Sequence, residues 1–185
     1  QFMTEDDLDG SGWDFRKALR LMAKSNTSFL GWLFSPIVYR GDMRLLKDMR
    51  YLAEQNFNPV AGFCHYHSMN KGFEELLGTN EMTLKNFFYD MRTALCANWI
   101  LKRRSIPPVR FKELYVLIDE KYHLLLDDLI ILKSKNIEKS KENVDHALVA
   151  LVRLLVEENG RFKNDLINKK PNATSFNTFF LNHVS

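Results

Sequence analysis

The chain is poor in cysteine and has no long apolar run. Its only two cysteines, Cys64 and Cys96, form neither a Cys-x-x-Cys pair nor a cluster with metal-ligand spacing. Both lie among apolar residues with helical periodicity, so we expect reduced, buried thiols in a cytoplasmic protein. No segment reaches the ~20 consecutive apolar residues that cross a bilayer, which excludes a transmembrane protein.

Basic and acidic residues are also nearly balanced in number. The net charge of +3 does not by itself indicate a nucleic-acid-binding protein. Its distribution is uneven, because the first fourteen residues are acidic whereas Lys102-Arg103-Arg104 and the stretch 133–142 are basic. An acidic end suited to a cation and a basic remainder suited to phosphates fit a nucleotide enzyme, and they equally fit a solvated surface.

Apolar residues recur at helical spacing along most of the chain, which contains no internal repeat and no low-complexity tract. The length suits one substantial domain. The predicted helix N-caps are Asp14 for the first helix, either Thr27 or Ser28 for the second, and Thr83 for the fifth. The last long helix is predicted to end at Asn159-Gly160. The predicted helices cover residues 14–24, 27–34, 41–56, 59–78, 83–106, 110–134, 141–157 and a short segment near 175–182.

Only the first dozen residues favour a strand, and no other segment of the chain is predicted to pair with it. We therefore predict a mainly α protein, a helical bundle with a short N-terminal strand. The predicted division is a terminal acidic strand over 1–12, a helical domain over 13–160 and a C-terminal tail over 161–185. The unpaired strand also predicts a homo-oligomer that forms by pairing with a second chain.

Residues 12–39, GWDFRKALRLMAKSNTSFLGWLFSPIVY, carry a family resemblance. The stretch resembles a family of predicted bacterial nucleotidyltransferases of the DNA polymerase beta superfamily, at the point where the chain leaves the catalytic sheet and enters a helical domain. The resemblance extends over about residues 7–118 and departs from the family pattern at Thr27 and Gly31. Gly31 stands where the family has an acid, and a glycine also weakens a helix.

The resemblance implies transfer of a nucleoside monophosphate from a nucleoside triphosphate to an acceptor such as RNA, with Mg²⁺ as cofactor. The superfamily's arrangement of a Gly-Ser turn followed by an Asp-x-Asp pair does not occur in this chain, so we expect it to represent the C-terminal part of such an enzyme, unable to catalyse alone. The initial strand would then be left over from the nucleotidyltransferase sheet. The alternative is a non-catalytic helical module that binds nucleic acid or a protein partner.

Two aspartates in the acidic segment are the candidate catalytic residues. Asp7 and Asp9 are two residues apart, so in a strand both would point to the same face, at a spacing suited to a hard cation. The resemblance implies that one of the two stands at the third metal-binding carboxylate of the superfamily, and we assign this position to Asp9. The simpler interpretation is a solvated acidic terminus.

Six residues are candidates for nucleotide binding. Lys85, Tyr89 and Arg92 follow one edge of the strongest predicted helix at positions i, i+4 and i+7, and the resemblance implies that such residues hold triphosphate and base. A solvated flank of an amphipathic helix explains them equally well. The other candidates lie at the junction after the first helix and in a His-Tyr-x-x-Met motif that the family shares: Lys24, Asn26 and His65. For the two junction residues, helix capping is the competing explanation.

Overall fold

A computed structural model describes residues 2–3, 9–10, 12–73, 83–135 and 144–184. At the N-terminus, strand β1 (Phe2–Met3) pairs antiparallel with strand β2 (Asp9–Gly10). Residues 4–8 lie outside the described ones. The predicted strand left over from a larger sheet is therefore not shown, and the backbone pairing that is described joins two short segments of this same chain.

The first two helices are joined by a tight polar junction. Helix α1 (Phe15–Ala23) begins after Asp14, whose carboxylate accepts a hydrogen bond from the Lys17 amide at 2.8 Å, as predicted. Helix α2 (Thr27–Leu33) is capped by Asn26. The prediction of a Thr27 or Ser28 cap was wrong, because Asn26 has the extended backbone that places its side chain beside the free amides of the first turn.

The next two helices also start with capping side chains. Helix α3 (Met43–Asn56) begins after Asp42, two residues later than predicted. Helix α4 (Pro59–Met69) begins after Asn58 with proline at its first position, as the sequence predicted. Helix α4 ends at Met69, well before residue 78, where its end was predicted. Residues 74–82 lie outside the described ones.

Helix α5 (Leu84–Arg103) is the central element of the bundle. It begins at the predicted Thr83 cap, and it ends where Arg104 adopts a left-handed conformation with φ 55°. Its buried residues occupy most of its circumference, and α4 and α7 pack along it. The structure thus confirms the helix predicted over 83–106, with an end three residues earlier than predicted.

The prediction of a single helix over 110–134 was wrong. The chain instead forms two 3₁₀ segments, Phe111–Leu117 and Glu120–Tyr122, followed by helix α6 (His123–Ser134). Ile118 between the two segments is extended, with ψ 158°. This break folds the first 3₁₀ segment back against α6.

The last two helices differ in extent from those predicted. Helix α7 (His146–Phe162) continues past Asn159-Gly160, because the Asn159 side chain is buried and donates to the Ala94 carbonyl of α5 at 2.9 Å. Helix α8 (Ala173–Val184) is longer than the short helix predicted in the tail, and it packs on α1.

Two hydrophobic cores share helix α5. The first is formed by the N-terminal two thirds of α5 with the 3₁₀ segment, α6 and α7. The second is formed by α1 to α4, the end of α5 and Phe176 of α8. At Gly62 of α4, an added Cβ would lie 2.6 Å from the Phe57 ring, so close packing requires glycine there.

The two cysteines lie in different environments. Cys96 is buried in the first core as predicted, and burial raises the pKa of its thiol to about 11. Cys64 is exposed, so the prediction of two buried thiols was wrong for it. Over the residues that the structure describes, no helix has the length and apolar character needed to cross a membrane.

Candidate functional site

A groove of about 500 Å³ opens between α5, the first 3₁₀ segment and α6. Three of the predicted nucleotide-binding residues, Lys85, Tyr89 and Arg92, lie along its α5 side. The complete lining is Lys85, Phe88, Tyr89, Arg92, Phe111, Ile130 and Lys133. The helical spacing that singled out the first three residues thus places them on one concave surface.

The floor of the groove is aromatic. Phe88 is 9% exposed, and its ring meets that of Phe111 edge to face, with centroids 5.7 Å apart. The Phe111 ring in turn meets that of Tyr115 at 5.7 Å and 85°. These perpendicular contacts fix the rings in a preferred aromatic geometry, which gives the groove a rigid apolar floor.

Three cationic side chains surround this floor. Lys85 is exposed, Arg92 is half-buried, and the Lys133 ammonium lies 5.2 Å from the centroid of the Phe88 ring. Arg92 donates to the Pro108 carbonyl at 3.4 Å, and most of its five N–H donors have no partner among the described residues. Within the described part of the chain none of the three cations forms an ion pair, and no carboxylate lines the groove.

Tyr89 supplies a second kind of surface at the edge of the groove. Its side chain is 50% exposed and lies one helical turn from Lys85. A half-exposed phenol ring beside unpaired cations is suited to stack on a nucleobase while the cations hold phosphate.

A hydrogen-bonded layer behind the floor holds the 3₁₀ wall against α6. The Tyr115 hydroxyl donates to Asp127 at 3.1 Å, and the Lys112 ammonium lies 3.0 Å from the other oxygen of that carboxylate. Because the carboxylate accepts from Lys112 and Tyr115, the pKa of Asp127 is lowered. Burial raises the pKa of the Tyr115 phenol. His123 contacts the Tyr115 carbonyl at 3.2 Å and completes this layer.

The other three predicted nucleotide-binding residues do not line the groove. Asn26 Oδ1 accepts from the Phe29 amide at 2.9 Å, and Lys24 forms the C-cap of α1. Between them, Ser25 is left-handed with φ 51°, and its hydroxyl accepts from the Asn58 backbone N–H at 2.8 Å. His65 is exposed on α4, with its ring edge-on to Tyr66. Capping and turn formation therefore account for the junction residues.

The candidate catalytic residues fall where the structure describes little. Asp7 lies outside the described residues, and for Asp9 only the backbone is described. Across the described ranges, no three His, Cys, Asp or Glu side chains are grouped closely enough to hold a metal ion. The donor set for Mg²⁺ is therefore not found in the described part, and the roles of Asp7 and Asp9 stay predictions.

Sequence reasoning missed the far wall of the groove, which is formed by Phe111, Ile130 and Lys133. In the sequence, the only indication of this wall was the basic stretch that begins at Lys133. The prediction of one long helix over 110–134 placed Phe111 far from Lys133, because in such a helix the two residues would lie more than 30 Å apart along the axis, at ~1.5 Å per residue.

Comparisons with known proteins identify the family. A family model described as RNA repair pathway DNA polymerase beta family matches residues 1–182. The uncharacterized protein YcgL of Bacillus subtilis (strain 168) is 40% identical over 107 residues, which are 57% of this chain and 41% of that protein. The chain therefore spans less than half the length of this relative. No solved structure matches the chain. The chain belongs to the RNA repair pathway DNA polymerase beta family, which confirms the resemblance to polymerase-beta-type nucleotidyltransferases.

Proposed function

We propose that this chain is the substrate-side helical portion of a nucleotidyltransferase and that its α5–α6 groove binds a nucleoside triphosphate. The observation that carries the proposal is the meeting of Lys85, Arg92 and Lys133 around one groove that no described carboxylate neutralises. Unpaired lysine and arginine side chains beside an aromatic surface suit phosphate oxygens and a base.

Each part of the groove has a role in this proposal. The Arg92 guanidinium, already positioned by the Pro108 carbonyl, donates paired hydrogen bonds to phosphate oxygens. Lys85 and Lys133 supply point charges from opposite walls, and Tyr89 packs against the base. Mg²⁺ enters as the ion that accompanies the triphosphate, and Asp9 is the residue proposed to bind it. The family description supports RNA as the class of acceptor.

The experiment is calorimetric titration of the 185-residue chain with Mg²⁺ and the non-hydrolysable β,γ-methylene analogue of ATP. Replacing Lys85→Ala with Arg92→Ala removes two charge-assisted contacts, and we expect the Kd to rise ~30-fold or more, at ~1–2 kcal/mol for each contact. The matched control is Arg44→Ala with Lys47→Ala, which removes the same charge from exposed positions of α3. We expect this control to bind like the unmodified chain.

The alternative, a non-catalytic module for nucleic acid or protein, predicts no binding of the triphosphate. Equal losses in the two double variants would show that affinity depends only on net charge. Either result would overturn the proposal for this groove.

A further inference from the structure

A second groove, of about 490 Å³, lies between α1 and α8. Helix α1 contributes Arg16 and Arg20, and helix α8 contributes Phe176, Asn177 and Phe180. On each helix the lining positions repeat at i, i+3, i+4 and i+7, so two facing stripes form the walls along about two turns.

Two arginines on the α1 wall have no anionic partner among the described residues. Arg16 and Arg20 are both exposed, and within the described part of the chain neither forms an ion pair. No carboxylate from the described residues lines the groove. Like charges four residues apart on a helix repel each other, and an anion between them would relieve that repulsion. The groove is therefore electrostatically suited to phosphate.

The same groove presents a planar surface and a free amide. The Arg16 guanidinium lies 5.0 Å from the centroid of the Phe180 ring, which itself stacks on Phe15 at 5.9 Å. A guanidinium held over a ring is positioned to stack on a nucleobase. The Asn177 side chain is exposed and makes no hydrogen bond to the other described residues, so its amide is available to donate to and accept from a base edge.

Helix α8 is firmly attached, so the groove is preformed. The Asn172 backbone N–H donates to Asn56 Oδ1 at 2.8 Å, and Asn56 Nδ2 donates to the Ser175 hydroxyl at 3.4 Å. Phe176 is buried in the second core with residues of α1 and α3. A ligand in this groove would therefore lose little free energy in ordering its walls.

We infer that the α1–α8 groove binds a single-stranded RNA segment, with phosphates at Arg16 and Arg20 and a base between the Arg16 guanidinium and the Asn177 amide. Its role as the seat of the acceptor strand rests on the proposed function. The two grooves share no lining residue and adjoin different cores, so their ligands can be tested separately.

The test is fluorescence anisotropy of the full 185-residue chain with a fluorescein-labelled uridine RNA of about twelve nucleotides over a range of salt concentrations. For Arg16→Ala with Arg20→Ala we expect binding to weaken about tenfold or more. The slope of log K against log salt should fall by about 1.4, at ~0.7 for each phosphate contact of a single strand. The double variant Arg44→Ala with Lys47→Ala, which loses the same charge from α3, serves as the control. We expect its RNA affinity to stay within about twofold of that of the unmodified chain and its salt slope to be unchanged. Asn177→Ala, which leaves the charge unchanged, should weaken binding with an unaltered slope.

Four results would overturn the inference. The first two are no RNA binding by the unmodified chain and an equal loss in the α1 and α3 double variants. The third is displacement of the RNA by a polyglutamate of similar length at equal concentration, which would indicate an acidic protein partner. The fourth is tighter binding of the same-length thymidine DNA, which would contradict the assignment to RNA.

Binding of the ATP analogue, measured in the same variants, separates the two proposals. We expect the Arg16→Ala with Arg20→Ala variant to bind the ATP analogue like the unmodified chain. If no variant bound the analogue, the triphosphate proposal would be overturned and the RNA result would be unaffected.

Discussion

The Lys133 ammonium lies 5.2 Å from the centroid of the Phe88 ring, so a cation from α6 covers the aromatic floor that α5 supplies. A cation above a ring face is attracted by the electron density of the ring. This contact holds a charge over the groove, although Lys133 is 45 residues from Phe88 in the chain.

Lys133 on the far wall of the groove is expected to contribute to triphosphate binding. Lys133→Ala removes a phosphate contact that the sequence pattern did not reveal, and we expect a roughly five- to thirtyfold increase in the Kd of the Mg²⁺-ATP analogue, equivalent to ~1–2 kcal/mol. Titration calorimetry measures it. Lys135→Ala, two residues along and exposed, is the matched control and should leave the Kd unchanged. Equal effects of the two variants would exclude Lys133 from the site.

The sequence revealed one wall of this groove and not the other, for a physical reason. Lys85, Tyr89 and Arg92 share one helix, so helical periodicity alone places them on one side. Phe111 and Lys133 meet only because the chain breaks at Ile118, and their apolar neighbours fit an unbroken helix equally well. Local pattern cannot distinguish these two outcomes, because tertiary contacts decide between them.

At the junction after α1, the structure supports helix capping as the reason for the polar residues. Asn26 was a candidate ligand contact, and its side chain caps α2. The sequence predicted a cap in this stretch correctly and chose the wrong residue by one position. The choice depends on which backbone is extended, which composition does not encode.

Two glycines provide a prediction with an internal control. Gly31 lies inside α2, and an added Cβ would contact nothing within 4 Å, so Gly31→Ala should stabilise the fold by ~0.5–1 kcal/mol. At Gly62 the added carbon would lie 2.6 Å from the Phe57 ring, so Gly62→Ala should destabilise it by ~1–3 kcal/mol. Urea denaturation measures both changes. Shifts of the same sign would contradict this packing.

We expect the stability of the fold to depend on pH through the buried carboxyl group of Asp90. Asp90 is 3% exposed, and burial raises its pKa to about 6 while Asn70 donates to its side chain. Because the folded pKa exceeds the unfolded one, the neutral acid favours folding below the unfolded pKa. That contribution is lost as the pH rises through about 6.

Asp90→Asn removes this titration and keeps an acceptor for Asn70. Relative to the unmodified chain, we expect the variant to gain ~2–3 kcal/mol of unfolding free energy between about pH 4 and pH 7.5, at ~1.36 kcal/mol for each pKa unit. Urea denaturation at several pH values measures the difference. A difference that does not change with pH would contradict the raised pKa.

A buried polar contact joins α5 and α7. Asn159 accepts from Asn98 Nδ2 at 3.1 Å and donates to the Ala94 carbonyl at 2.9 Å. Asn159→Ala removes both bonds and leaves a small cavity, and we expect a loss of ~2–4 kcal/mol of unfolding free energy. Asn182→Ala, at an exposed position of α8, should change it by less than ~0.5 kcal/mol. Equal losses would contradict the structural role of Asn159.

The triphosphate site is tested most directly by an experimental structure of this chain with Mg²⁺ and the non-hydrolysable ATP analogue. We expect the triphosphate in the α5–α6 groove, with phosphate oxygens within hydrogen-bond distance of Lys85, Arg92 and Lys133 and the base against Tyr89. A triphosphate bound elsewhere, with those three cations free of it, would show that this groove is not the nucleotide site.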